Sequence, residues 1–210
     1  MIKENIELMK QARESLKGKW GLAVGTFFIY MLITGIAQSI PGIGQFAMLI
    51  IAGPLGLGLA IFALALARKQ DARLEQIFDG FKNFTTALGA YLLMMIFIIL
   101  WTLLFFIPGI IAAFAYSQVF YIIAEDSSIG AMDALRKSKE IMYGYKWKLF
   151  CLGLRFFGWA LLCILTLGIG LLWLVPYMYV TYANFYENIK ENKVEREQDE
   201  NSSMAFLPWN

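Results

Sequence analysis

Side chains able to do chemistry are scarce in this sequence. Histidine is absent from its 210 residues, which removes the commonest general base and metal ligand. Cys151 and Cys163 are the two cysteines. On one helix they would sit about 18 Å and roughly a third of a turn apart, beyond disulfide reach. They read as apolar thiols, and no metal, redox centre or other cofactor is expected. Gly53-Pro54-Leu55-Gly56-Leu57-Gly58 has the glycines of a phosphate loop, but no Lys-Ser/Thr follows and no strand precedes it. On a helix, Ala52, Gly56 and Ala60 recur every fourth position, the spacing that lets helix backbones approach closely. Packing is the favoured reading.

One ionisable residue stands apart. Arg155 is the single Asp, Glu, Lys or Arg in residues 149–186, and eight residues past Trp147 it would lie about 12 Å deeper in a bilayer. A charge at that depth costs roughly 2.5–3.5 kcal/mol on insertion scales and is a functional hypothesis by default. Trp159, at i+4, could supply a cation–π contact, and Tyr182, Asn184 and Tyr186 are polar candidates across the bundle. The plainer alternative is an arginine that snorkels to the headgroups. Tyr177, Tyr179, Thr181, Tyr182 and Asn184 give the last helix a polar stripe, and Tyr116, Ser117, Gln118 and Tyr121 do the same earlier. Hydrogen bonding between helices is favoured over a lining for a headgroup or small solute.

The elements that position these groups follow from where charge is missing. The chain is 59% hydrophobic and 16% charged, with mean hydropathy +0.59; soluble domains carry about 25% charged residues. Residues 20–67 and 83–124 contain no Asp, Glu, Lys or Arg, and residues 149–186 contain Arg155 alone. A crossing takes about 20 residues, so each span holds two. The expected fold is all-α: a polytopic membrane protein of six transmembrane helices arranged as three repeated hairpins, near 20–67, 83–124 and 147–189. A soluble enzyme, a nucleic-acid-binding domain and a disulfide-stapled module are excluded. Without an intramembrane Asp or Glu, the usual carriers of ion coupling are also missing.

All basic residues except Arg155 lie in four segments, 3–19, 68–82, 136–148 and 190–196. Hairpins place these on one side, and the positive-inside rule makes that side the cytoplasm. Both termini are then cytoplasmic. Cleavage at Ala37-Gln38-Ser39 would leave an odd number of crossings and scramble this asymmetry.

Each hairpin follows one plan. The corners read Gly18-Lys19-Trp20, Gly80-Phe81-Lys82-Asn83-Phe84 and Gly144-Tyr145-Lys146-Trp147; the outer turns read Pro41-Gly42-Ile43-Gly44, Pro108-Gly109-Ile110 and Leu167-Gly168-Ile169-Gly170. The spacing suggests an internal repeat, either a duplicated stable hairpin or a site on a pseudo-threefold axis. The connecting segments read as interfacial amphipathic helices near 2–17, 71–82 and 128–143, with stripes Ile2/Ile6/Met9/Leu16, Leu74/Ile77/Phe78/Phe81 and Ile129/Met132/Leu135/Met142. Ser127 or Ser128 is the expected cap of the last. Residues 1–190 form one membrane domain, and 191–210 a disordered cytoplasmic tail ending in the apolar Met204-Ala205-Phe206-Leu207-Pro208-Trp209-Asn210.

The stretch Ile107-Pro108-Gly109-Ile110, Tyr116, Ala134-Leu135-Arg136-Lys137-Ser138 and Gly144-Tyr145-Lys146-Trp147-Lys148-Leu149-Phe150 resembles the bacterial integral membrane family called domain of unknown function 975. Gly158-Trp159, Pro176-Tyr177 and Phe185-Tyr186 extend the resemblance over roughly residues 10–190. More distantly, the Pro-Gly-Ile turn and Ala-Leu-x-x-Ser helix are similar to membrane domains of glycerophosphodiester phosphodiesterases. The resemblance implies six helices and a lipid-related setting, and brings no catalytic residue. The expectation is a non-enzymatic plasma-membrane scaffold associated with lipid or with a membrane or cytoplasmic protein partner. The alternative is a solute or lipid transporter or flippase. Arg136, Lys137, Lys139, Lys146 and Lys148, facing anionic lipid, and the intramembrane Arg155 are the candidate site residues.

Overall fold

The computed structural model describes residues 3–42, 44–166 and 168–205. The described residues form helices joined by short turns, with no strand among them. The helices are α1 (Asn5–Leu16), α2 (Trp20–Gln38), α3 (Gly44–Ala67), α4 (Gln76–Asp79), α5 (Phe84–Leu104), α6 (Phe106–Tyr116), α7 (Val119–Glu125), α8 (Ala131–Ile141), α9 (Lys146–Ile164) and α10 (Leu171–Ala205), with a 3₁₀ turn at Gly80–Asn83 before α5. Five helical stretches are long and apolar enough to cross a membrane: Trp20–Gln38, Gly44–Ala67, Gln76–Leu104, Phe106–Glu125 and Lys146–Ile164.

Helix α10 is not one of the five, because its Tyr, Thr and Asn residues lower its hydropathy. Those residues point inward: Thr181, Asn184 and Asn188 are buried. Helix α10 packs on α1, α2, α3 and α9, so neighbouring helices rather than hydropathy supply its surroundings. Helix α3 is the other central element, with two-thirds of its apolar window (67%) buried. Helices α2, α5 and α9 turn large apolar side chains outward, among them Ile36, Leu103 and Leu165, as a lipid-facing surface requires.

Three glycines decide how closely α3 is approached. A Cβ on Gly58 would meet the Ile77 carbonyl oxygen at 1.9 Å, one on Gly80 the Pro54 carbonyl oxygen at 1.9 Å, and one on Gly53 the Ala87 carbonyl oxygen at 2.7 Å. Residues 76–83 therefore sink onto the middle of α3. The helix expected over 71–82 is shorter, confined to Gln76–Asp79 and the 3₁₀ turn Gly80–Asn83. Ile77 is fully buried, Phe78 and Phe81 stay exposed, and the segment runs directly into the Gln76–Leu104 stretch.

The other two amphipathic segments differ in which face they bury. Helix α1 buries Leu8, Ala12, Ser15 and Leu16 while Ile6 is exposed, because it lies across both α10 and α3. Helix α8 buries Ala134, Leu135, Ser138 and Ile141 and leaves Met132 exposed. Its N-cap is Gly130, without a side-chain cap. Ser128 instead donates from Oγ and backbone N to Asp126 Oδ1 at 2.6 and 3.0 Å, which pulls the Asp126 carboxyl below its usual range.

Turns also shift. The second outer reversal is made by Phe105 in extended backbone (φ −157°, ψ 140°). Pro108 lies in the first turn of α6, and Gly109 packs on α5, where a Cβ would meet Thr102 Oγ1 at 2.1 Å. At the corners, Gly18 and Gly144 take left-handed φ of 80° and 84°, whereas Gly80 is held by its contact with α3. Expected disorder from 191 onward is replaced by helix to Ala205. The residues there are mostly good helix formers. They are pinned by Lys193 Nζ to Glu140 Oε2 at 3.5 Å and by the Arg196 guanidinium 5.6 Å from the Tyr145 ring centre. Ile2 of the first stripe, Ile43 and Leu167 of the outer turns, and the closing residues 206–210 lie outside the described residues.

Candidate functional site

The structure places the six basic residues singled out from sequence in different surroundings. Arg136 and Lys137 lie on the exposed face of α8 with Lys139, and Arg136 Nη1 faces Asp133 Oδ1 at 3.6 Å. Lys146 is half-buried at the start of α9. Lys148 is committed to the fold: its Nζ donates to the Lys3 carbonyl, its own carbonyl accepts from Asn5 Nδ2 at 3.1 Å, and its ammonium sits 5.9 Å from the Phe185 ring centre. It clamps the start of α1 to α9 and α10.

Arg155 has different company. It lines a groove of about 840 Å³ between α1 and α9 together with Lys10 and Arg13. The rest of that wall is largely apolar, including Ile6, Leu154, Trp159 and Leu162. Tyr177 closes the floor, donating from its hydroxyl to the Met9 carbonyl at 3.0 Å. A second recess of about 380 Å³ shares Arg13, Trp159 and Tyr177 and adds Trp20, Trp173 and Cys163. Three cations thus stand beside an aromatic and aliphatic channel, an arrangement suited to an anionic headgroup with its chain. The polar candidates expected opposite Arg155 go elsewhere. Tyr186 donates to Glu125, Asn184 lines a different pocket with Arg68, and Tyr182 faces the bundle interior. In the sequence Lys10 and Arg13 carry only a topology signal, since a one-dimensional pattern cannot show that they share a groove with Arg155 of α9.

That interior holds a cavity of about 720 Å³ with walls from α2, α3, α5, α6, α7, α9 and α10. Ala52, Gly56 and Ala60 line it, and Gly56 also seats α7, since a Cβ there would meet the Phe120 ring at 3.0 Å; Gly53, Gly58 and Gly80 make the close backbone approaches. Tyr30, Tyr91, Tyr179 and Tyr182 contribute rings and hydroxyls, and no Asp, Glu, Lys or Arg is among the lining residues. The cavity sits at the break between α6 and α7. Ser138 Oγ from α8 spans that break, accepting from Gln118 N–H at 3.3 Å and donating to the Ala115 carbonyl at 2.8 Å.

At the opposite end of α7 a compact ion network ties the ends of α3 and α7 to the middle of α10. Arg68 Nη2 contacts Glu125 Oε1 at 2.8 Å and Glu187 Oε1 at 2.7 Å. Lys190 pairs with the same Glu125 oxygen, and Tyr186 donates to Glu125 Oε2 at 2.8 Å. Among the described residues no group of three or more His, Cys, Asp or Glu could hold a metal ion.

Fold and site together define an all-helical protein with several membrane-type helices, cationic grooves and an uncharged interior cavity. The family model described as Protein of unknown function (DUF975) matches residues 1–113 and 103–193, and the chain belongs to that family. No curated relative and no solved structure matches it. The more distant likeness to glycerophosphodiester phosphodiesterase membrane domains is not among these matches.

Proposed function

We propose that this is a six-crossing protein of the bacterial plasma membrane, made of three hairpins with both termini cytoplasmic. It acts without catalysis, as a lipid-associated scaffold that holds an anionic lipid headgroup in the groove between α1 and α9. The observation that carries this reading is the convergence of Lys10, Arg13 and Arg155 on one groove with apolar walls. Each cation near an anionic leaflet contributes about 1 kcal/mol. Helix α10 serves as the sixth crossing, with Thr181, Asn184 and Asn188 turned inside the bundle.

The test is lipid retention. Protein reconstituted in nanodiscs of phosphatidylglycerol and phosphatidylcholine is extracted and its bound lipid measured by native mass spectrometry. Changing Lys10, Arg13 and Arg155 to Gln should reduce bound phosphatidylglycerol by roughly tenfold or more. Equal retention by this variant and the unaltered protein rejects the groove as a headgroup site.

A transporter or flippase is the second reading, favoured by the interior cavity of about 720 Å³. Accelerated movement of a fluorescent phospholipid between leaflets of proteoliposomes would select it over the scaffold.

A further inference from the structure

We propose that the interior cavity at the α6–α7 break is a binding site for an uncharged, single-chain lipid alcohol, separate from the anionic headgroup groove. Three observations carry this. The first is size: about 720 Å³ falls within the range of small-molecule sites, roughly 300–1,000 Å³. The second is the absence of any Asp, Glu, Lys or Arg from its lining, so a charged ligand would lose its hydration without a counter-charge. The third is an unused acceptor.

Gln118 lines the cavity and is 1% exposed. Its Nε2 donates to Ser117 Oγ at 2.9 Å, while Ser117 Oγ donates to the Phe114 carbonyl at 2.8 Å. Because the serine proton is already used, Ser117 only accepts from Gln118. This orients the amide and leaves Oε1 as an acceptor. That oxygen is buried with no hydrogen-bond partner. A buried acceptor left unmade is destabilising, and a ligand hydroxyl supplies what is missing. Ala52 and Ala60 present small side chains to the cavity, beside the rings of Tyr30, Tyr91, Tyr179 and Tyr182, a lining suited to a hydrocarbon chain. The ligand chemistry is therefore a hydroxyl donor on one apolar chain.

The experiment uses the full chain purified in detergent and incubated with monooleoylglycerol or, separately, methyl oleate, which has the same chain without a hydroxyl. Bound ligand is read by native mass spectrometry. The unaltered protein should retain monooleoylglycerol about fivefold over methyl oleate, the magnitude of one hydrogen bond. Gln118→Leu should bring the two ligands to parity. Gly153→Phe projects a ring into the cavity from α9, where a Cβ meets nothing closer than Tyr182 Oη at 3.9 Å; it should lose both ligands. Absence of preference in the unaltered protein, preference surviving in Gln118→Leu, or undiminished binding in Gly153→Phe each overturns the proposal. Both probes are uncharged, so failure here is distinguishable from failure of the Lys10/Arg13/Arg155 groove.

Discussion

Arg68 and Glu125, 57 residues apart in sequence, meet at 2.8 Å and join the C-terminal ends of α3 and α7. Glu187 and Lys190 bring α10 into the same contact. One carboxylate therefore sits at the junction of three helices far apart in sequence. With side-chain exposures of 30% and 23%, the Arg68–Glu125 pair lies between a surface pair, worth about 0–1 kcal/mol, and a buried one. Glu125→Gln leaves Arg68 and Lys190 facing each other without the intervening charge. It should destabilise the bundle by about 1–2 kcal/mol, with a double-mutant cycle against Arg68→Ala returning a coupling of about 1 kcal/mol. Thermal unfolding in detergent, followed by tryptophan fluorescence, measures both.

The close approach of residues 76–83 to α3 makes a sharper forecast. Gly58→Ala places a methyl group against the Ile77 carbonyl at 1.9 Å, whereas a Cβ on Gly25 has nothing within 4 Å. Gly58→Ala should cost about 3 kcal/mol or more. Gly25→Ala, in the middle of α2, should instead stabilise by about 0.5–1 kcal/mol through helix propensity. Melting of the two variants side by side checks the contrast. Similar melting temperatures would show that the segment does not seat on α3.

Orientation is open to direct chemistry. In a background lacking Cys151 and Cys163, single cysteines at Ser39, Phe105 and Thr166 mark the three turns opposite the basic segments. They should react with an impermeant thiol reagent added outside intact cells, while Asp71→Cys should not. Labelling of Asp71→Cys from outside would reverse the topology.

The helical continuation of α10 alters what truncation should do. Removing everything after Lys190 deletes the Lys193–Glu140 pair and the Arg196–Tyr145 contact together with buried Asn192, whose Nδ2 donates to the Asn188 carbonyl at 2.6 Å. The bundle should still form but lose about 1 kcal/mol, since these are partly exposed contacts. Lys193→Ala should reproduce a fraction of that loss. An unchanged melting temperature in both would mean that residues 191–196 do not dock on α8.

Arg136, Lys137 and Lys139 provide the contrast to the groove. Changing all three to Gln removes exposed charge from α8 without touching the α1–α9 groove. The general enrichment of anionic lipid around the protein should fall, and fall less steeply at higher salt, while the tightly retained phosphatidylglycerol stays. Lipid counts by mass spectrometry at two detergent concentrations separate the loosely and tightly held populations.

The all-helical architecture and the apolar stretches were legible in the sequence because both depend on local quantities. A backbone in hydrocarbon must satisfy its hydrogen bonds within the segment, so a charge-free run of sufficient length already specifies helix. The family could likewise be read from contiguous motifs. What the sequence did not disclose was which small residues touch and which leave room. Ala52, Gly56 and Ala60 have the spacing of a packing seam and line a cavity as well, with Gly56 against the Phe120 ring, while the closest backbone approaches are made at Gly58 and Gly80. Nor did it show that Lys10, Arg13 and Arg155 share one groove, that Lys148 is consumed in clamping α1, or that Glu125 collects partners from the end of α3 and from α10. Spacing along one helix determines a face, but the partner of that face depends on how helices far apart in sequence cross. That is settled by mutual packing of whole surfaces, which no periodicity within a single segment encodes.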